Sequence, residues 1–376
     1  IVNPKRLDCA FPFKEICGAV VAWYVIAALK KEMMLDIDLK PYFDLLALAT
    51  IADAMPLVSL NRVIVKYGLK VMSSTNRIAL AVFRERLNKE IVTSEDVGFA
   101  IAPKLNAAGR MSNAIEAFNF LRSNTKKDAA KWLDYLFKLN FDRREIETEI
   151  TELAKLEVRE HDLITVVWGE DWHEGVIGIV ASRLVDAYHK PAIVLSIENG
   201  VAKGSARSVG DVDIFSLMKA QEEMLLGFGG HKQAAGMKIE VEKLEDFRVA
   251  INLAAKAVDP KDFEPHVDVI GDMEFHALDM ECFNIISHFE PYGQANPKPL
   301  FKACSANVVF ADWVGKASNH LKLTVADSTS DIQKKGMAFF ANVDIARGDK
   351  IDFAYSLVKN EFRNNVTIEL QIKKFL

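Results

Sequence analysis

Three short runs between residues 171 and 236 gather the side chains best suited to hold a phosphate. The first carries His173 and Gly175 and continues through Gly178 to Arg183; the second is Lys203-Gly-Ser-Ala-Arg-Ser208; the third places Gly229, Gly230 and His231 ahead of Ala234, Ala235 and Gly236. A guanidinium flanked by hydroxyls, as Arg207 is by Ser205 and Ser208, forms a planar clamp for a phosphodiester. Glycine lets the backbone come close to such an anion, and the free N–H groups that open a helix are suited to bind it. Each run alone has a plain structural reading: a tight packing contact for the glycines, a satisfied structural residue for a histidine. Three of them in one stretch, with Arg, Ser and His at the punctuation, point to an anion pocket.

The elements around these runs suit that role. Apolar run 163–168 reads as a buried strand, 176–188 has the apolar spacing of a helix, and 192–196 reads as a second strand ahead of the Ser-Ala-Arg run. Upstream, residues 126–160 are rich in Leu, Lys, Glu and Arg without Gly or Pro, and Leu133, Leu136, Phe137, Asn140, Ile146 and Ile150 trace one stripe. That predicts a helix longer than most globular ones. Two further polar sites interrupt apolar surroundings. Asp53 lies in run 42–56, where a carboxylate is costly to bury unless it is paired or binds a cation, and a capping or ion-pair role is the other reading. Lys104, Asn106 and Arg110 rise from the small residues of 99–111, as ligand contacts or as the charges of a solvated loop.

Trp172-His-Glu-Gly-Val-Ile-Gly-Ile-Val-Ala-Ser-Arg183, Gly204-Ser-Ala-Arg-Ser208 and Phe228-Gly-Gly-His-Lys-Gln-Ala-Ala-Gly236 resemble the DHHA1-type substrate-binding domain of the RecJ family, single-strand-specific exonucleases of the DHH phosphoesterase superfamily. Thr50-Ile-Ala-Asp-Ala-Met-Pro-Leu57 with Asn61-Arg62 is similar to the family's fourth motif, so the resemblance makes Asp53 a ligand of a catalytic divalent metal. Asn106-Ala-Ala-Gly-Arg110 resembles another family motif and implies that Arg110 contacts the substrate phosphate. The family's Asp-x-Asp and Asp-His-His motifs belong upstream of Asn3-Pro-Lys5, and among the eight histidines no two are adjacent. Most ligands for Mn²⁺ or Mg²⁺ are therefore expected upstream of this chain. One aspartate cannot hold a catalytic metal pair, and the chain by itself is expected to be inactive.

Composition sets outer bounds. At 376 residues two or three domains are expected, and half apolar with a quarter charged is ordinary for a globular protein. Forty-seven basic against 52 acidic residues gives −5, so nucleic-acid binding has to rest on local patches. No apolar run is long enough for a membrane span and the start is not a signal peptide, which points to a cytoplasmic protein without a membrane role. Cys9, Cys17, Cys282 and Cys304 lack metal-ligand spacing and read as reduced thiols. Ile1 is not a methionine, which reads as a fragment or processed product.

The last third changes to alternation. Runs 306–310, 320–326, 336–340, 350–357 and 366–373 predict five short strands, a small barrel for which the OB-fold is the match in RecJ-like chains. Phe310, Trp313, Phe339, Tyr355 and Phe362 interleave there with Lys316, Lys322, Arg347 and Arg363, either as core or as a stacking platform.

These readings predict a multidomain α/β protein: a partial DHH α/β domain (1–124), a connecting helix (125–160), a DHHA1 α/β substrate domain (161–264) and an OB-like β-barrel (265–376). The resemblance implies metal-dependent 5′ to 3′ degradation of single-stranded DNA in repair and recombination. Asp53 would share the metal; Arg110, Ser205, Arg207, His231, Gly229 and Gly230 would hold the strand, with His173 beside them. Single-strand-binding protein and a helicase are the protein partners it brings into view. Two alternatives stand beside this: a related phosphodiesterase acting on short oligonucleotides or cyclic dinucleotides, and a non-catalytic nucleic-acid-binding scaffold.

Overall fold

The computed structural model describes residues 2–264, 266–315, 318–328, 330, 332–362 and 365–376. Lys316, Arg363, Pro265 and the side chain of Phe362 lie outside the described residues. Helices α1 (Gly18–Glu32), α2 (Phe43–Ala52), α3 (Ser59–Ser73), α4 (Ile78–Leu87), α5 (Ala102–Met111) and α6 (Ile115–Leu121) lead into α7 (Lys126–Leu156). There follow β1 (Thr165–Glu170), α8 (Glu174–Tyr188), β2 (Ala192–Glu198), β3 (Val201–Arg207), α9 (Ile214–Lys219), β4 (Leu225–His231), β5 (Ala234–Glu240) and α10 (Leu244–Ala255). The chain ends with β6 (Gly271–Asp272), α11 (Met280–Ser287), β7 (Phe301–Val314), β8 (His320–Ala326), β9 (Gln333–Phe339), β10 (Lys350–Phe362) and β11 (Asn365–Phe375). Two compact units interleave along it: Ile1–Met72, Val92–Glu95 and Val267–Leu376 form one, and Ser73–Ile91 with Asp96–His266 forms the other.

The second unit is built on a sheet of order β1-β2-β3-β5-β4, parallel at β1–β2 and antiparallel elsewhere. Ile193, Leu195, Ala206 and Met237 face α9 and α10 on one side. On the other, Val167 and Val194 pack against Val176, Val180 and Leu184 of α8 and Ile150 of α7. Burial on both faces explains why β1 and β2 read as apolar runs rather than as alternation. The 31-residue α7 starts where the Thr125 hydroxyl accepts the Asp128 N–H, a cap of the kind worth about 1 kcal/mol, and it ends four residues before the expected 160. Its predicted stripe is inward: Leu133, Leu136, Asn140 and Ile150 are buried.

In the first unit β7-β8-β9-β11-β10 closes onto β7, the strand order of an OB-fold. All five expected strands are present, four of them longer than their apolar runs. Leu321, Leu323, Phe353, Tyr355 and Leu370 fill the interior, so Tyr355 is core and not a stacking surface. Helices α1, α2 and α3 surround Val20, Leu46 and Ile64, and the loop at Leu57 donates its N–H to the Gln294 carbonyl at 2.7 Å. A Cβ at Gly68 of α3 would overlap the Phe43 carbonyl oxygen and stand 2.5 Å from the Ala47 Cβ, so α2 and α3 cross at backbone contact.

Gly68→Ala is therefore expected to cost about 1–3 kcal/mol of stability, the usual penalty for overpacking a close contact. Urea denaturation followed by circular dichroism reads it, and a shift below about 0.5 kcal/mol would mean that the two helices separate freely.

Candidate phosphate-binding site

In the second unit, the N-terminus of α8 is fixed by its own side chain: His173 caps the helix, its Nδ1 accepting the Gly175 N–H at 3.0 Å. The Gly175 carbonyl in turn accepts Nη1 of Arg110 at 3.0 Å. A Cβ at Gly175 would overlap the carbonyl oxygen of Arg110, so the end of α5 and the start of α8 meet backbone to backbone. One turn on, a Cβ at Gly178 would stand 2.9 Å from Ser205 Oγ and 3.0 Å from Arg207 Nη2. The two glycines of the first run thus bring α8 down onto Arg110 on one side and onto β3 on the other.

Arg207 is half-buried; its Nη1 donates to Ser205 Oγ at 3.0 Å and to the Ala206 carbonyl at 2.8 Å. Neither Arg207 nor Arg110 has a carboxylate partner among the described residues. Burial, and secondly the positive charge of Arg110, push Arg207 below the usual arginine range. Arginine keeps its proton under such shifts, so the cost remains as electrostatic strain that an anion between the two guanidiniums would relieve.

The third run reaches this place through strand register. Arg207 is paired with Ala234 and Ala234 with His231; Ser205 is paired with Gly236 and Gly236 with Gly229. Directly paired residues share a face of the sheet, so His231 stands on the side of Arg207, two strand spacings or roughly 10 Å away. Between them runs a strip of Ala234, Gly236, Gly227 and Gly229. A Cβ at Gly227 or Gly229 would meet nothing within 4 Å, and one at Gly236 only the Gly204 carbonyl oxygen at 3.8 Å. None of the three has a positive φ. Local structure does not demand glycine at these positions; what it provides is a bare floor beside α8. Gly230 differs, because a Cβ there would overlap the Ala234 carbonyl oxygen.

Arg110, His173, Ser205 and Arg207 therefore converge, and Gly229 and His231 continue the surface across the sheet. Sequence reading passed over Lys203 and Lys238, which are paired in the same register. Alternation along β5 could have found Lys238; Lys203 is neutralised by Glu174 at 2.5 Å. Residues 99–111, open to a loop reading, are mostly the helix α5, with Asn106 and Arg110 exposed and Lys104 half-buried.

Asp53 belongs to the other unit, at the exposed C-cap of α2. Among the described residues no group of three or more His, Cys, Asp or Glu could hold a metal ion. Asp53 is therefore not part of a metal-holding group among those residues. In the barrel, a cleft of ≈ 540 Å³ is lined by Lys322, Lys335, Met337, Asn360, Asn365 and Glu369. Phe310, Phe339 and Phe340 are exposed on the same barrel, with Phe339 and Phe340 edge-on to His320 at centroid distances of 5.3 and 4.7 Å.

Residues 161–257 match the family described as the DHHA1 domain, and residues 271–374 the RecJ OB domain. The chain is 34% identical over 384 residues to the single-stranded-DNA-specific exonuclease RecJ of Bacillus subtilis, covering 99% of this chain and 48% of that protein. It is 31% identical over 399 residues to the RecJ of Haemophilus influenzae, covering 99% of this chain and 69% of that one. Against the crystal structure of RecJ in complex with Mg²⁺ from Thermus thermophilus it superposes with a TM-score of 0.85 at 27% identity, over 97% of this chain and 56% of the other; the Mn²⁺ complex matches equally. This chain thus spans about half to two-thirds of the length of the relatives it matches.

The two kinds of glycine should separate under substitution. Gly175→Ala is expected to cost about 1–3 kcal/mol, because α8 must lift from Arg110. Gly229→Ala should stay within about 0.5 kcal/mol of the parent. Thermal melts of both variants test this, and an equal loss for the two would mean that the floor glycines are structural.

Proposed function

The chain belongs to the RecJ family of single-stranded-DNA-specific exonucleases, and from that premise we propose that it is the strand-holding part of such an enzyme. It would grip a 5′-phosphorylated single strand while a metal centre hydrolyses the terminal phosphodiester. The observation that carries this reading is the pair Arg110 and Arg207, two guanidiniums without acidic partners among the described residues, beside a bare glycine floor. A terminal phosphate monoester carries close to two negative charges at neutral pH, an internal diester one, so two unpaired cations favour an end over an interior. Ser205 Oγ adds a hydroxyl, and the floor of Gly227, Gly229 and Gly236 leaves room for the sugar and base that follow. His231 closes the far side.

In this reading Asp53 supplies one carboxylate to a divalent cation of the Mg²⁺ or Mn²⁺ kind found in the Thermus protein, and the other ligands lie outside these 376 residues. That metal would activate water and stabilise the departing oxygen. The residues of this chain bind and orient. The division into a partial DHH domain, connecting helix, DHHA1 domain and barrel belongs to the same proposal, its last two parts supported by the family matches. The barrel would hold the strand's continuation through Lys322, Lys335 and the exposed phenylalanines. Action in the cytoplasm with single-strand-binding protein and a helicase follows from the same family premise.

Arg207→Ala should weaken binding of a 5′-phosphorylated single strand by about 1.5–3 kcal/mol, and of the 5′-hydroxyl strand by less. Fluorescence titration of the folded variant tests it, and unchanged affinity for both ends would remove Arg207 from the path. With Mn²⁺ and labelled strand, the 376-residue chain alone should bind without shortening the DNA. Shortening that disappears in Asp53→Ala would contradict the incomplete metal set.

A further inference from the structure

Beyond the Arg110 and Arg207 pair, the second unit holds another concentration of positive charge where α5, α7 and α8 pack together. Arg143 and Glu147 lie one turn apart on α7, and their side chains pair at 3.3 Å. The same carboxylate accepts Nε of Arg183, from α8, at 2.9 Å. Glu147 is 6% exposed, and a carboxylate so buried persists only when cations hold it. Arg143 Nε is buried without an acceptor, so Glu147 is what fixes that guanidinium. Around this trio stand Lys104 and Arg110 of α5 and the exposed Arg144. Desolvation comes first in pushing Arg143 and Lys104 below their usual ranges. For Arg143 the charges of Arg110, Arg144 and Arg183 add to it against the opposing pull of Glu147, and for Lys104 those of Arg144 and Arg143. Of these five cations Arg143 and Arg183 pair with an acid, Glu147, while Arg144 lies at the surface beside Glu145 and Glu149.

Such an arrangement lowers the stability of the unliganded protein, since like charges in a partly dehydrated setting repel. We propose that the α5–α7–α8 junction is a second phosphate subsite, binding an internal phosphodiester of the strand whose end Arg207 holds, and that Glu147 is a positioning residue that aims Arg143 and Arg183 at it. Arg110, electrostatically coupled to both Arg143 and Arg207, links the two places into one basic track. This rests on the strand-binding reading above and adds to it a site for a phosphate further along the chain.

The test compares deoxythymidine 5′-monophosphate, which carries one phosphate, with a 5′-phosphorylated deoxythymidine dodecamer, titrated against the 376-residue chain at several salt concentrations. Arg143→Ala should weaken dodecamer binding about ten-fold and Arg144→Ala about three- to ten-fold. Each should reduce the slope of log affinity against log salt by about 0.7. The monophosphate should bind all variants within two-fold of the parent. Glu147→Gln should weaken the dodecamer as Arg143→Ala does, and the double variant should be no weaker than Arg143→Ala, the non-additivity expected when one residue acts through the other. If Glu147→Gln unfolds, Arg144→Ala, at an exposed position, carries the test. Unchanged dodecamer affinity in both arginine variants overturns the subsite, equal loss of both ligands reduces the cluster to a support for Arg110, and additive losses remove the positioning role of Glu147. A parent that binds neither ligand would instead overturn the strand-binding reading.

Discussion

The close backbone approach at Gly175 and Gly178 is the constraint on which the second unit depends. With no side chain at either position, α8 lies against the carbonyl of Arg110 and against the Ser205–Arg207 edge of β3. Any larger residue would separate α5 from β3 and carry the two guanidiniums apart. The core of Val167, Val194, Val176, Val180 and Ile150 holds α8 against the sheet and against α7. A 31-residue helix is useful here as a stiff member: it presents Ile150 to the sheet and Arg143 with Glu147 to α5 and α8, all from one element.

Charge tells a local story that the total conceals. The chain is acidic overall, yet Arg110 and Arg207 have no carboxylate partner among the described residues, and at the helix junction Glu147 is shared by Arg143 and Arg183. Several other cations of the unit are matched. Lys203 meets Glu174, Arg159 meets Glu245, and Lys232 meets Asp211, all on the same unit and all exposed, where pairing contributes little to stability. Of the two unmatched arginines Arg207 is half-buried, where an unmatched charge costs more, and Arg110 is exposed beside it. That contrast gives the arginines a ligand-binding reading rather than a solvated one.

Much of this was legible beforehand because periodicity and punctuation are local. The apolar runs at β1 and β2, the stripe on α7 and the alternation of the barrel strands all follow from each segment's need to bury one or two faces. The motif residues Ser205, Arg207 and His173 were recognisable by chemical type. What sequence could not supply is register. His231 lines up with Arg207 only because β5 lies between β3 and β4 with Ala234 as the shared partner. Nor could it separate Gly229, which leaves space, from Gly230, which avoids a clash. Glu147 escaped notice for a related reason: within a Lys-, Glu- and Arg-rich helix a buried acid looks like any solvated one. The grouping of α1–α3 with the barrel depends on contacts such as Leu57 to Gln294, far apart in sequence.

In the proposed complex Arg110 and Arg207 hold the terminal phosphate of a single strand above a floor of glycines. A crystal structure of this chain with a 5′-phosphorylated trinucleotide tests it most directly. The expected result is 5′-phosphate oxygens at hydrogen-bond distance, about 3 Å, from both guanidiniums and from Ser205 Oγ, with the first nucleoside over Gly229 and Gly236. A trinucleotide bound elsewhere, with Arg207 still donating only to Ser205 and the Ala206 carbonyl, would contradict it.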